Sequence, residues 1–243
     1  MSDVSMALLG SGEFDPWSEP VERWLLERSS RPDGVALVLP TAAAHEGEDS
    51  FQRWGSKGLE HFASLGIPAE VVPLRTREDA DRDDVVARLD DAALVFFSGG
   101  NPWRLGVALD GSAFWERLRT RMTEGLPYAG CSAGVACLTE KTFDSETDDP
   151  ERIWKPGLGF VRRMLFGPHW DIVDTWIPGA REFIVAANDP GFGFVGLDED
   201  TAIVGDGRTW DVIGRQRIHV LLDGAWSSYG PGDRFELPFE LAL

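Results

Sequence analysis

Five residues, Gly130-Cys131-Ser132-Ala133-Gly134, carry the densest chemical signal in the chain. They fit Gly-x-Ser-x-Gly, the pattern of a sharp strand-to-helix turn that holds a serine hydroxyl out of the backbone. Glycines at both ends remove side chains that would clash in the turn, and the helix that follows leaves backbone N–H groups free near developing negative charge. Pro127-Tyr128-Ala129 before the turn reads as the strand and the small residues through Leu138 as a buried helix. A plain glycine-rich strand-to-helix turn has the same pattern, so the five residues alone leave a structural reading open. Cys131 is a nucleophile by type, but the residue beside an elbow serine points inward, and Cys131 and Cys137 read as small buried hydrophobes.

A serine at its ordinary pKa needs a histidine base, itself oriented by an acceptor. Four histidines compete. His45 follows Thr41-Ala42-Ala43-Ala44 beside Glu46, Glu48 and Asp49, which predicts a solvated segment. His61 lies within an amphipathic helix pattern, and His219 alternates with Ile218 and Val220 as a strand residue. His169, in Phe166-Gly167-Pro168-His169-Trp170-Asp171, stands at a strand end broken by Gly-Pro, where a side chain can project into a cleft. For the acceptor, Asp171 lies two residues from His169. Glu199, in Val195-Gly196-Leu197-Asp198-Glu199-Asp200-Thr201-Ala202, reads by itself as an ordinary acidic turn.

The elements that must position these residues follow from hydrophobic patterning. Met6 to Leu9 before Gly10-Ser11-Gly12, Val35 to Leu39, Ala69 to Leu74 and Ala93 to Phe97 before Ser98-Gly99-Gly100-Asn101 are short apolar runs, as expected of parallel strands covered on both faces. Between them, helical spacing appears over Trp17 to Arg28, Ser50 to Leu65, Asp81 to Leu89 and Trp103 to Arg121, the last divisible at Gly111-Ser112. Thr142 to Lys155 is polar and acidic and reads as a surface excursion. Beyond Gly157 strands dominate: Phe160 to Phe166, Ile203-Val204, Trp210 to Ile213 and Ile218 to Leu222, the last two flanking Gly214 to Arg217 as a hairpin would. The pattern predicts one α/β domain over residues 1–243, with a mostly parallel central sheet flanked by helices and a strand-rich C-terminal third.

Composition narrows the partners. The 243 residues hold 23 Lys and Arg against 41 Asp and Glu, a formal charge of −18 that repels a phosphate backbone at long range. Nucleic acid is therefore not an expected partner. No stretch approaches the roughly 18 apolar residues of a membrane span, and the start of the chain lacks the basic region of a signal peptide, so the expected compartment is the cytoplasm. Two cysteines and four histidines do not make a disulfide framework or a metal cluster, and no cofactor is expected.

With these residues placed, the chain resembles the serine peptidases of the dipeptidase E and cyanophycinase type, peptidase family S51, within the flavodoxin-like, class I glutamine amidotransferase-like fold. Four landmarks carry the resemblance in order: Ser98-Gly99-Gly100-Asn101-Pro102-Trp103-Arg104-Leu105, Gly130 to Gly134, Pro168-His169-Trp170, and Gly196 to Ala202. It implies Ser132 as nucleophile, His169 as general base and Glu199 as the residue orienting it. The chain order Ser, His, acid agrees with these peptidases and differs from the Ser, acid, His order of α/β-hydrolases. It also implies an oxyanion hole from the backbone N–H groups of Gly100 and Ala133, with Asn101 facing the substrate and Arg181 holding an acidic group on it. Serine at the elbow, where glutamine amidotransferases carry cysteine, points away from ammonia transfer. Gly167-Pro168 replaces the Asp-Gln that precedes the histidine in cyanophycinases, and their arginine-rich segment is reduced to Arg181.

The expected function is a serine exopeptidase or dipeptidase that cleaves short peptides, including those with N-terminal Asp, through an acyl-enzyme. The alternatives are an amidase or esterase of a non-peptide metabolite on the same triad, or a binding protein of this fold without catalysis. Trp103, Trp154, Trp170 and Trp176 cluster around the landmarks and fit either a pocket wall or a core. Recognition of an acidic substrate against a charge of −18 needs a local cation, and Arg104 and Arg181 are the candidates.

Overall fold

The structure, a computed structural model, describes residues 4–147, 149 and 152–243. Strand β1 (Met6–Leu9) leads through a glycine loop into α1 (Glu19–Leu26), then β2 (Val35–Leu39), the long α2 (Glu48–Ser64) and β3 (Ala69–Val71). The short α3 (Asp83–Val86) precedes β4 (Ala92–Phe97). The next helical stretch divides at Gly111-Ser112 into α4 (Pro102–Leu109) and α5 (Ala113–Thr123). Ser112 starts the second helix because its hydroxyl accepts the Trp115 N–H at 3.0 Å. Strand β5 (Tyr128–Cys131) then turns into α6 (Ala133–Ala136).

These five strands are parallel neighbours in the order β1-β5-β4-β2-β3. All residues of β1, β4 and β5 are buried, because helices cover both faces and leave no solvated side for polar residues to alternate onto. Fully buried Phe96, Phe97 and Phe62 fill the layers above and below, each contributing roughly 1.5–3 kcal/mol of transfer free energy.

The excursion after α6 is a two-stranded ribbon, β6 (Lys141–Phe143) against β7 (Trp154–Pro156). Part of its tip, residues 148, 150 and 151, lies outside the described residues. The strand expected over Phe160 to Phe166 is broken into β8 (Val161–Arg162) and β9 (Met164–Pro168), because Arg163 takes a left-handed φ of 57°. Two short helices, α7 (Val173–Trp176) and α8 (Ala180–Ala186), separate β9 from β10 (Gly193–Leu197). There follow β11 (Thr201–Gly205), β12 (Thr209–Gly214), β13 (Ile218–Leu222), β14 (Ala225–Tyr229), β15 (Arg234–Glu236) and β16 (Glu240–Leu241).

Strands β11, β12 and β15 extend the central sheet antiparallel beyond β1, giving eight strands, while β14-β13-β10-β9 form a second sheet in which β9 and β10 are parallel. The expected hairpin of Trp210 to Ile213 with Ile218 to Leu222 therefore does not form: β12 belongs to the large sheet and β13 to the small one. The link between them turns outward at Gly214, at φ 127°. Its N–H groups bond elsewhere, Arg215 to Asp200 O, Gln216 to Thr201 Oγ1 and Arg217 to Asp198 Oδ2. Residues 198–200 carry the chain from the small sheet back to the large one, and the link docks against that crossing. No helix among the described residues is long and apolar enough to cross a membrane.

Candidate active site

The elbow is set by β5. Ser132 N–H still donates to Leu9 O at 3.0 Å, continuing the β1–β5 ladder. The backbone then reverses at Ser132, whose φ of 49° and ψ of −101° are unusual for a residue with a side chain. Gly130 is required by space: a Cβ there would lie 2.3 Å from Gly134 O. The buried Tyr128 hydroxyl donates to that same carbonyl at 2.6 Å and pins the turn from below.

His169 follows the last residue of β9, also at positive φ, 54°. Its ring reaches Ser132 across the seam between the sheets, with Nε2 2.9 Å from Ser132 Oγ, while Nδ1 lies 2.8 Å from Glu199 Oε1. With Nδ1–H donating to the carboxylate, Nε2 is left as the acceptor for the serine hydroxyl, the tautomer a general base requires. The structure thus brings Ser132, His169 and Glu199 into one hydrogen-bonded chain. Asp171, the other acidic candidate, instead accepts the Glu199 N–H at 2.9 Å and so braces the residue that faces the imidazole.

Trp170 explains why the histidine is followed by an aromatic ring and why Glu199 is preceded by Gly196. The Trp170 N–H donates to Leu197 O at 3.0 Å and its ring is buried against Phe194. A Cβ on Gly196 would sit 2.6 Å from Trp170 Cγ. Only glycine leaves room for the ring, and the ring fixes His169 one residue away. Parallel pairing of Pro168 with Leu197 sets the height of both landmarks.

Among the described residues, the N–H groups of Gly100 and Ala133 have no hydrogen-bond partner, unlike those of Gly99, Asn101 and Ser132 around them. They are the two groups expected to receive an oxyanion. Asn101 is placed otherwise than expected. It is buried, its Oδ1 caps α4 by accepting from Trp103 N and Arg104 N, and its Nδ2 donates to Asp144 Oδ1 at 2.7 Å. Its side-chain oxygen and amide are thus both engaged within the fold. Burial pushes the Asp144 carboxyl up, but hydrogen bonds from Asn101 and the Glu146 N–H outweigh it and hold the group below the usual range.

Arg181 is also committed. Its Nε and backbone N–H both donate to Asp174, at 2.6 and 2.9 Å. Arg104, the other candidate cation, faces Glu146 at 3.4 Å. Of the four tryptophans, Trp176 is the one whose ring contacts the imidazole, 5.0 Å from His169 between centroids and 57% exposed. Trp154 stacks on Phe183, and the Trp103 ring faces Lys155.

The remaining histidines pair away from the serine: His45 with Glu146, His61 with buried Glu22, and His219 with Asp198. His45, expected on a solvated segment, has a side chain only 16% exposed. Cys131 is buried, and burial first, then the charge of Glu13 beside it, pushes its thiol well above its ordinary pKa. It is held as an unreactive thiol, which removes it as a nucleophile. Glu13 itself, 4% exposed with one carboxylate oxygen on Gly99 N–H and the other on Cys131 Sγ, escaped the sequence reading. Its only signal there is a carboxylate at the close of a glycine loop, followed at once by Phe14. No three His, Cys, Asp or Glu side chains among the described residues converge as a metal site would.

A parallel-sheet α/β fold with a serine elbow after β5, served by a histidine from a second sheet, defines a serine-bearing member of the class I glutamine amidotransferase-like proteins. Residues 6–213 match the profile of peptidase family S51, and the chain belongs to that family. It is 29% identical over 220 residues to a cyanophycinase of Synechococcus elongatus, covering 85% of this chain but 65% of that protein, so it spans less than two thirds of its length. A Peptidase E of Nostoc sp. is 26% identical over 218 residues, 84% of this chain and 83% of the relative. Among solved structures, a peptidase from an acI-B1 Actinobacterium superposes with a TM-score of 0.85 at 29% identity, over 98% of this chain and 99% of that one.

Proposed function

We propose that this protein is a serine peptidase acting on short peptides, with Ser132 as nucleophile, His169 as general base and Glu199 as its orienting acid. The observation that carries the reading is the continuous chain Ser132 Oγ, His169 Nε2, His169 Nδ1, Glu199 Oε1, with links of 2.9 and 2.8 Å. In this reaction Ser132 Oγ attacks the scissile carbonyl as its proton passes to His169 Nε2, and Glu199 stabilises the imidazolium that forms. The carbonyl oxygen, now negative, takes the N–H groups of Gly100 and Ala133. His169 returns the proton to the leaving amine; water, deprotonated by the same nitrogen, then attacks the acyl carbonyl, and His169 passes that proton to Ser132 Oγ as the acyl group leaves as a carboxylic acid.

The pairing of Arg104 with Glu146 and of Arg181 with Asp174 offsets the two cations on which recognition of N-terminal Asp would rest. The exposed Trp176 ring beside His169 offers apolar contact instead. The proposed substrates are therefore short peptides with an uncharged residue on the acyl side. The test is hydrolysis of parallel Asp-X and Leu-X dipeptide panels by wild type and Ser132→Ala. Turnover of Leu-X in preference to Asp-X, lost in Ser132→Ala, is expected. Activity surviving in Ser132→Ala removes Ser132 as nucleophile, and preference for Asp-X overturns the substrate assignment.

A further inference from the structure

A buried carboxylate persists only where donors meet its oxygens, and the two donors that meet Glu13 sit on separate elements of the active site. Its Oε1 accepts the Gly99 N–H at 2.8 Å, in the loop that leaves β4, and its Oε2 accepts the Cys131 thiol at 3.0 Å, at the end of β5. Gly99 immediately precedes Gly100, and Cys131 stands two residues before Ala133. Gly100 and Ala133 are two residues whose N–H groups have no hydrogen-bond partner among the described residues. On the other side of Gly100, Asn101 N–H donates to Ala42 O at 3.0 Å. Gly100 is thus suspended between two hydrogen bonds, with a φ of 140° and no room for a side chain, a Cβ there falling 2.4 Å from Ala42 O. A Cβ on Gly99 would lie 3.3 Å from Glu13 Oε1 and 3.5 Å from Ser132 Cβ, so carboxylate, loop and elbow are in packing contact.

We infer that Glu13 is a positioning residue for the oxyanion hole: it ties the loop after β4 to the turn after β5 and thereby sets the spacing of the Gly100 and Ala133 N–H groups. The inference rests on the assignment of Ser132 and His169 given above. Glu13 does not reach the reacting atoms and acts through Gly99 and Cys131. Spacing matters because an oxyanion donor is worth about 10² to 10³ in kcat only when it lies about 2.7–3.1 Å from the position the charged oxygen takes.

Three variants separate its acceptor role from its charge and its bulk. Glu13→Gln keeps a carbonyl oxygen for the Gly99 N–H, Glu13→Asp keeps the charge but withdraws it by one methylene, and Glu13→Ala removes the acceptor. For Glu13→Ala, kcat should fall about 10- to 100-fold with KM changed by less than about threefold, a part of the full value of one donor. The affinity for a peptide boronate, whose tetrahedral adduct on the serine fills the oxyanion hole, should fall by the same factor. Glu13→Asp should lose about tenfold in both, and Glu13→Gln should stay within about threefold of wild type. Should Glu13→Ala not fold, Glu13→Asp carries the test. Unchanged kcat in folded Glu13→Asp or Glu13→Ala overturns the inference, as does a loss of kcat without loss of boronate affinity, or a Glu13→Gln as impaired as Glu13→Ala. Fluorophosphonate labelling of wild type, located on Ser132 by peptide mass mapping, keeps the two claims apart. Absence of that label defeats the Ser132 assignment itself, whereas a labelled wild type with unaltered Glu13 variants defeats the role of Glu13 alone.

Discussion

Glu199→Gln removes one charge from the proposed triad and little else, since the glutamine carbonyl can still accept the His169 Nδ1–H and the backbone N–H that binds Asp171 is untouched. At the observed 2.8 Å, a full charge on each partner interacts by about 6 kcal/mol at an effective dielectric of 20 and about 1.5 kcal/mol in bulk water. The side chains of His169 and Glu199 are 23% and 35% exposed, which places the pair between these limits, at about 3 kcal/mol. A general base takes up its proton only as Ser132 attacks, so in the proposed mechanism this attraction develops as the imidazolium forms, and its loss falls on the transition state. At about 1.4 kcal/mol per decade the expected loss in kcat/KM is about 100-fold. The assay is steady-state hydrolysis of the peptide that wild type turns over fastest, with thermal melts to show that Glu199→Gln is folded. Asp171→Asn, which keeps an acceptor for the Glu199 N–H, should lose much less. A Glu199→Gln within threefold of wild type, beside an Asp171→Asn reduced about 100-fold, would refute the reasoning and exchange the roles of the two carboxylates.

Gly196→Ala drives a methyl into the Trp170 ring. Overpacking of this kind costs about 1–3 kcal/mol, so a melt should show Tm lower by several degrees, with kcat reduced further than stability because His169 moves with Trp170. Both thiols are buried with raised pKa values, so native protein should take up no iodoacetamide at mildly alkaline pH and two equivalents once unfolded, counted by intact mass. Folding holds protons on Cys131, Cys137 and Tyr128 that the unfolded chain releases near its ordinary values of 9.0 and 10.0. Stability from this source is complete below pH 9 and declines above it. Tm measured from pH 9 upward should therefore decrease, and less steeply in Cys131→Ala/Cys137→Ala than in wild type.

The central sheet was legible because strands buried on both faces must be continuously apolar, as β1, β2 and β4 are. The elbow was legible because its constraints are local, Gly130 against Gly134 four residues on. Glu199 was not legible from its surroundings, where an acidic turn between apolar runs looks solvated. What brings it to His169 is the register of β9 with β10, residues 164–168 against 193–197, which only the resemblance could suggest. The hairpin of β12 and β13 was misread for a related reason: periodicity reveals strands but not their partners, and here the link bonds to residues 198–201. Asn101 and Arg181 show the limit for polar side chains. Asp144 and Asp174 claim them through contacts that no spacing rule displays, and the same holds for the clasp of Glu13 on Gly99.

The crossing at residues 198–200 has one more consequence. Ser132 rides on one sheet, His169 on the other, and Glu199 on the chain between them, so neither sheet alone holds the whole proposed triad. A slip of β9 by a single residue would turn His169 to the opposite face and break its contact with Ser132. The proposed triad is in this sense a product of tertiary assembly: it is complete only where the two sheets are joined in the register described above.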